Sequence, residues 1–241
     1  MRKLLVVLIS IVLCSCQPTT EDISQVEVEH FGALRNFMHK GDISAKVDCS
    51  AFRDQTHFYA LGALEDLQGE ILILDSKVYN STVEEDQVKL DSSFDFKASL
   101  FVSAIVPKWK TIQVPTEVKS RQALEDFISS TASSHGINTA EPFPFMLAGP
   151  VDALDWHVIK WDVTDREHTH QKHVESGAQG TMEHATVTVL GFHSTKHQTI
   201  FTHHTSYVHM HVLNEQDEIA GHVDDIVLGP GVALKIPESK S

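Results

Sequence analysis

A β-hairpin is predicted by the segment Tyr207-Val208-His209-Met210-His211-Val212-Leu213, which continues through residues 214–221 into His222-Val223-Asp224-Asp225-Ile226-Val227. Apolar and polar residues alternate along the segment, which is typical of a strand with one face in the core. Because alternate side chains of a strand share a face, His209 and His211 point to one side, and the apolar residues beside them point to the other. If the chain reverses at residues 216–217, His211 and His222 lie directly opposite each other.

This register brings three imidazoles together on one side of the hairpin. The Cβ atoms of directly opposed residues are roughly 4.5–5.5 Å apart, and His209 lies about 7 Å from His211 along the same face. Three histidines with one position left open for water or substrate form a typical catalytic zinc site. The alternative is that the three are solvent-facing histidines, in a chain that contains 16 of them.

The rest of the chain predicts an α+β protein. Its 241 residues, 41% of them hydrophobic, are enough for one large domain or two small ones. Residues 25–144 are expected to form a mixed β-sheet with flanking helices. Residues 145–241 are expected to form a β-rich, barrel-like half that carries the metal hairpin.

Local patterns indicate where individual elements lie. Apolar residues spaced three apart predict a helix over 26–38 that ends at Gly41, and a second helix around residues 123–128 that ends near Gly136. The turn Gln68-Gly69 is expected between two strands. The predicted strands are 59–64, 70–75, 100–106, 156–163, 185–192, 206–213 and 222–228.

The charge balance excludes one class of partner. The formal net charge is -14, whereas nucleic-acid binding depends on clustered Lys and Arg. The chain also has no nucleophile-elbow, P-loop or dinucleotide-binding fingerprint. A small anionic substrate held by a metal ion remains compatible with this composition.

The N-terminus predicts export. Residues 1–15 combine a short basic start with a ten-residue apolar stretch, Leu4 to Leu13, too short for a bilayer of about 30 Å and typical of a signal peptide. Leu13-Cys14-Ser15-Cys16 resembles a lipobox, so Cys16 is the expected lipidation site and residues 16–24 the tether. The predicted location is that of an exported, membrane-anchored bacterial lipoprotein. The alternative is a plain secretory signal.

The quoted motifs resemble one known family. Val208-His209-Met210-His211-Val212-Leu213 and Gly221-His222-Val223-Asp224 are similar to the zinc motif of acetolactate decarboxylases, YHLHF followed by GGHVLD. Residues 61–64 (LGAL) and 67–75 (LQGEILILD) resemble that family's LGTF and LDGEMIVLDG segments, and Gly191-Phe192 matches its GF pair. The resemblance runs from about Phe31 to Pro237, in one order.

The resemblance assigns residues to roles. His209, His211 and His222 stand at the zinc-ligand positions, and Glu70 stands at the position of a carboxylate beside the metal. The sequence around Glu70 supports the same role without the resemblance. An ionisable group at the start of an apolar strand should have a raised pKa. The alternative is a strand-end Glu that reaches solvent.

The chain also departs from the family pattern. Lys160 aligns with a family arginine, so it keeps the positive charge but lacks the bidentate fork. Ala63 replaces a threonine. The family's C-terminal extension, which carries a second active-site Glu, has no counterpart in this sequence.

The implied function is zinc-dependent decarboxylation of 2-acetolactate to acetoin. In this reaction Zn²⁺ stabilises an enediolate, Glu70 protonates the carbon, and Lys160 orients the departing carboxylate. The expected partners are a small 2-hydroxy-3-keto acid and, through the N-terminal lipid only, the membrane. No nucleic acid is expected, and a homodimer is compatible with the sequence. The alternatives are a zinc-dependent ester hydrolase on a related fold and a non-catalytic, His-rich zinc-binding lipoprotein.

Two further His-rich segments lie near the hairpin in sequence. Residues 167–173 (EHTHQKH) are typical of a mobile loop, with contact to the main site or a second metal site as alternatives. Residues 202–205 (THHT) directly precede the zinc strand and are expected at the rim of the pocket.

Overall fold

The computed structural model describes residues 25–238. The predicted signal peptide, Cys16 and the tether lie outside the described residues. Within residues 25–238, no helix is both long enough and apolar enough to cross a membrane.

The described chain contains fifteen strands and three α-helices. The helices are α1 (Leu34–Lys40), α2 (Arg121–Ser134) and α3 (His170–Glu175). The strands are β1 (Val28–Phe31), β2 (Val47–Asp48), β3 (Phe58–Leu64), β4 (Glu70–Leu74), β5 (Lys77–Val78), β6 (Asn80–Glu84), β7 (Gln87–Asp91), β8 (Lys97–Ile105), β9 (Trp109–Gln113), β10 (Phe143–Val158), β11 (Ala178–Glu183), β12 (Thr186–His193), β13 (Val208–Asn214), β14 (Ile219–Leu228) and β15 (Ala233–Pro237).

The strands form two sheets. The first has the order β1-β8-β3-β4-β6-β7, with β2 and β5 as short additions. The second has the order β12-β13-β14-β10-β15-β9, and β10 also pairs with β12 and β11. Strands β12, β13, β14 and β10 therefore close into a small four-stranded barrel. This architecture confirms the α+β class.

The strand pairing of the first sheet differs in one respect from the expected mixed sheet. Every pairing between the named strands of residues 25–238 is antiparallel. The reason is local connectivity, since short turns join β3 to β4 and β6 to β7, and such turns can connect only antiparallel neighbours.

The apolar residues pack in three layers, which follow from strand alternation. Val208, Met210 and Val212 belong to a core that fills the barrel and extends beneath α2. A second core between the barrel and the first sheet includes Leu72 of β4 and Leu213 of β13. The third covers the other face of the first sheet. The face of the hairpin that carries His209 and His211 therefore points into the second core, between the barrel and the first sheet.

The helix predicted over 26–38 is wrong in its first part. Residues Val28–Phe31 form β1, which pairs with β8 from Val28↔Ala104 to Phe31↔Phe101. The strand ends before Gly32, where a Cβ atom would lie 2.1 Å from the carbonyl oxygen of Ser99. Helical spacing in a short apolar segment cannot be distinguished from a strand that gains hydrogen bonds from a distant partner.

Two predicted boundaries in the second half also need correction. The strand expected over 156–163 is the end of the long β10, which stops at Val158. The segment expected to be a mobile loop contains α3, with the Thr169 side chain accepting a hydrogen bond from the Lys172 N–H at its N-terminus. The strands predicted near β3, β4, β8, β12, β13 and β14 and the helix near α2 are confirmed within a few residues.

Candidate metal centre

The hairpin β13–β14 has the register that the sequence predicts. His211 lies directly opposite His222, and Asn214 opposite Ile219, so the chain reverses between residues 214 and 219. The Asn214 side chain stabilises this turn, because its oxygen accepts a hydrogen bond from the Gln216 N–H at 3.0 Å. A short, self-contained turn therefore fixes the relative position of two histidines.

The three imidazoles present their ring nitrogens to one point. Nε2 of His209 lies 3.2 Å from Nδ1 of His222 and 3.2 Å from Nε2 of His211. A tetrahedral zinc ion with Zn–N bonds of about 2.0–2.1 Å requires nitrogens roughly 3.3–3.4 Å apart. The three donors therefore fit a zinc ion. Within residues 25–238 they are the single group of three or more His, Cys, Asp or Glu close enough to hold a metal.

Burial keeps these histidines in the form that binds metals. It lowers the pKa of His209 to about 3, and it lowers the pKa values of His211 and His222 well below their usual range. All three are therefore neutral at physiological pH. A neutral imidazole has a free lone pair for a metal, so ligation displaces no proton.

Glu70 lies beside the histidines, at the start of β4. Its carboxyl Oε2 is 3.7 Å from Nε2 of His211, and its side chain is only 7% exposed. The preceding Gly69 is needed, because a Cβ atom there would lie 2.1 Å from the Ser81 carbonyl oxygen. Burial raises the pKa of Glu70 to about 8, against the opposing effects of His157 and the Ile159 N–H. The strand-end alternative, in which Glu70 reaches solvent, is therefore wrong.

A fourth histidine completes this wall of the site. His157 lies opposite His222 on β10, and its Nδ1 is 2.8 Å from Oδ2 of Asp224. Its Nε2 is 3.9 Å from Oε1 of Glu70. Burial alone would lower the pKa of His157, but the hydrogen bond to Asp224 and the charge of that carboxylate act against burial, and the net effect is a raised pKa.

A cavity of about 590 Å³ opens onto these groups. Its lining includes the apolar residues Phe37, Ala63, Leu67, Leu100 and Phe201. It also includes the polar residues Glu70, Arg121, Glu125, His157, His209 and Asp224. The cavity can therefore hold a small molecule with a polar, oxygen-bearing end and an alkyl end.

The structure does not bring Lys160 to this cavity. Lys160 is exposed, lies two residues beyond the end of β10 and is not among the residues that line the cavity. The prediction placed it on a strand through 156–163, whereas the strand ends at Val158. The cation that lines the cavity is Arg121, at the start of α2.

Several other residues singled out from the sequence lie in or near the cavity. Ala63 lines the cavity, and so do His203 and Thr205 from the segment expected at the rim. His170 and His173 of α3 also line it. His168 packs instead against Trp161, with ring centroids 4.4 Å apart.

Sequence reasoning missed His157, Arg121 and Asp224. His157 lies on β10 opposite His222, whereas Lys160 lies beyond the end of that strand. Asp224 is two residues after His222 on β14, so strand alternation predicts that the two side chains share a face. Arg121 had no local indication, since its approach depends on how α2 packs against the hairpin.

The fold and the site together define an α+β protein in which three histidines, placed closely enough to hold a metal ion, lie between an antiparallel sheet and a small barrel. Residues 34–240 match the family model described as alpha-acetolactate decarboxylase. The chain belongs to this family.

Solved structures are similar over most of the chain. An alpha-acetolactate decarboxylase from Bacillus subtilis strain 168 is 14% identical, with a TM-score of 0.68, over 89% of this chain and 86% of that one. A Staphylococcus aureus protein of unknown function, similar to alpha-acetolactate decarboxylase, is 15% identical, with a TM-score of 0.62, over 87% and 84% of the two chains. No protein with a curated description matches by sequence. At this identity the structural likeness shows the fold.

Proposed function

We propose that the protein is a zinc-dependent carboxy-lyase that converts 2-acetolactate to acetoin and carbon dioxide. One observation carries this proposal. The buried carboxyl group of Glu70 lies 3.7 Å from one of three histidines whose ring nitrogens converge, so a site that could hold a Lewis acid and a group that can transfer a proton share one cavity.

His209 and His211 would hold the metal through Nε2, and His222 would hold it through Nδ1. Bound there, zinc would supply Lewis-acid polarisation of the ketone and hydroxyl oxygens and stabilise the negative charge that develops as carbon dioxide leaves. His157 and Asp224 flank the ligands and fix the orientation of this wall through their 2.8 Å hydrogen bond.

Glu70 holds the proton that the reaction needs. When the bond to the carboxylate carbon breaks, its electron pair moves towards the neighbouring carbonyl, and carbon dioxide leaves as a neutral molecule. The same carbon then takes a proton, and Glu70 is the buried acid within reach of it. Burial favours its protonated form by raising its pKa, and water that enters the cavity restores the proton after each turnover.

One observation favours this proposal over a zinc-capturing lipoprotein. A zinc-capturing lipoprotein is expected to offer several weak sites. Residues 25–238 contain one group of three or more His, Cys, Asp or Glu side chains that lie close enough together to hold a metal ion.

The decisive experiment is an acetoin assay. The purified protein is incubated with zinc and racemic 2-acetolactate, and acetoin is compared with that formed by the His211→Ala protein and by a chelator-treated sample. Acetoin production that requires both His211 and the metal supports the proposal. Equal rates in all three samples contradict it. Hydrolysis of a neutral ester by the same protein would favour the hydrolase.

We further propose that the protein is exported and anchored through a lipid on Cys16, which lies outside the described residues. The proposal rests on the sequence of residues 1–16, and two acyl chains are what hold a lipoprotein firmly in a membrane. The Cys16→Ser protein should leave the membrane fraction while retaining its zinc. A variant that still sediments with membranes would contradict the lipobox.

A further inference from the structure

Arg121 is the one Lys or Arg among the cavity-lining residues of the described chain. It is the first residue of α2, directly after Ser120, whose hydroxyl oxygen accepts a hydrogen bond from the Ala123 N–H. This cap fixes the start of the helix and the direction in which the Arg121 side chain leaves it.

The guanidinium is held beside the metal hairpin on three sides. One terminal nitrogen donates a hydrogen bond to the carbonyl oxygen of Asp224, two residues after His222. The other donates to the hydroxyl oxygen of Ser206 at 3.4 Å. Nε lies 3.5 Å from a carboxylate oxygen of Glu125. Arg121 is therefore fixed against β14 and against the segment just before β13.

Glu125 strengthens this arrangement. Its carboxylate accepts hydrogen bonds from the Ser206 hydroxyl at 2.6 Å and from the Tyr207 N–H at 3.2 Å. These contacts attach α2 to the chain just before β13. The Arg121 side chain consequently has little freedom to change its place, which reduces the entropy that it would lose on binding a ligand.

The arrangement leaves part of the guanidinium free for a ligand. A guanidinium has five N–H bonds, and the three contacts above engage at most one on each nitrogen. One N–H on each terminal nitrogen then has no partner among residues 25–238. The side chain is 28% exposed, and the cavity is the space that it faces. Two parallel N–H groups are what a carboxylate binds best.

We propose that Arg121 anchors the carboxylate of the substrate and thereby makes the cavity selective for 2-hydroxy-3-keto acids over their neutral analogues. The apolar lining residues Ala63, Leu67, Leu100 and Phe201 are then available for the alkyl groups of the substrate. This proposal rests on the proposed function, and it replaces Lys160 by Arg121 as the cation that orients the leaving group.

Charge and position both support this assignment. The chain has a formal net charge of -14, so an anion needs a local cation to enter the cavity. Arg121 lines the same cavity as His209 and His222, and its guanidinium donates a hydrogen bond to the carbonyl oxygen of Asp224, two residues after His222. A molecule that spans the cavity can therefore contact both Arg121 and the metal.

The test compares a carboxylate ligand with its neutral amide, which has nearly the same size and shape. One is 2,3-dihydroxy-2-methylbutanoate, which is the substrate with its ketone reduced to an alcohol. The other is the corresponding amide. Binding of both to the zinc-loaded full-length protein is measured by calorimetry for the wild type, Arg121→Gln, Arg121→Lys and the exposed-cation control Lys160→Met. Zinc content is measured in every sample.

Arg121→Gln should weaken binding of the acid by about 10- to 150-fold, the range that follows from losing a hydrogen bond to a charged group. Binding of the amide should change less than about twofold, because the neutral amide does not form a hydrogen bond between two charged groups. Arg121→Lys should restore part of the affinity for the acid, because it keeps the charge without the fork. Lys160→Met should bind both ligands as the wild type does.

The ratio of the two affinities within each protein is independent of how much of the sample is folded. An acid-to-amide ratio unchanged in Arg121→Gln would overturn the anchor, and a ratio lost in Lys160→Met would assign the role to Lys160. If Arg121 selects the acid but 2-acetolactate yields no acetoin, the anchor stands and the proposed reaction fails.

Discussion

The two sides of the cavity are built in different ways. The metal side comes from a single hairpin, in which His211 and His222 are held opposite each other by a short turn. The cation side is assembled from distant parts of the chain. Arg121 on α2 contacts the backbone of Asp224, 103 positions away in sequence, and Glu125 contacts Ser206, 81 positions away.

This difference explains why the two sides can be predicted from the sequence unequally well. The metal side depends on a register that one local turn determines. The cation has only to reach the same cavity and can come from another element. In this chain the position expected to hold it, Lys160, lies outside the cavity, and Arg121 lines the cavity instead.

The largest effect is expected on the metal side. His211→Ala removes a fully buried donor from the group of three, so zinc content measured by metal analysis should fall to near zero. His39→Ala, which changes an exposed histidine of α1, is the matched control and should retain full occupancy. Full occupancy in His211→Ala would contradict the hairpin site.

The next effect tests the proton donor between the two sides. Glu70→Gln keeps the size of the side chain but removes the transferable proton, so kcat for acetoin formation should fall by about 100- to 10,000-fold. Zinc content should stay unchanged, because Glu70 is adjacent to the ligands rather than one of them. A variant with normal kcat would exclude Glu70 as the acid.

A smaller effect concerns the stability of the metal-free protein. Burial holds the pKa of His211 well below 6.5, so below that pH the unfolded chain binds a proton there that the folded chain does not. The free energy of unfolding should therefore fall with pH, by up to about 1.4 kcal/mol per pH unit for this residue. Urea unfolding of His211→Asn between pH 7.5 and 5 should show a slope shallower by about that amount. Equal slopes for variant and wild type would contradict the buried, neutral state of His211.

The smallest effect is expected at Lys160. Its side chain is exposed and outside the cavity, and surface substitutions away from a site rarely matter by more than about 0.5 kcal/mol. Lys160→Met should therefore change kcat/KM for 2-acetolactate by about twofold or less. A loss of tenfold or more would restore Lys160 to the cation side and remove the contrast between the two regions.

Most of the metal side could be predicted from the sequence. The alternation of β13 and the symmetry of its turn determine which histidines face each other, and both depend on neighbouring residues. The raised pKa of Glu70 also follows from its place at the start of an apolar strand. The helix predicted over 26–38 was wrong for its first residues, because their hydrogen bonds go to β8, more than sixty positions later.

The sequence by itself determined the α+β class, the hairpin register and the three converging histidines, because period-two alternation and a short turn are local properties. The tertiary structure alone decided the end of β10 at Val158, the pairing of His157 with Asp224 and the placement of Arg121. These depend on how α2 and β10 pack against the hairpin. Packing of that kind is set by the fit of side chains from distant segments, which no pattern within a single segment records.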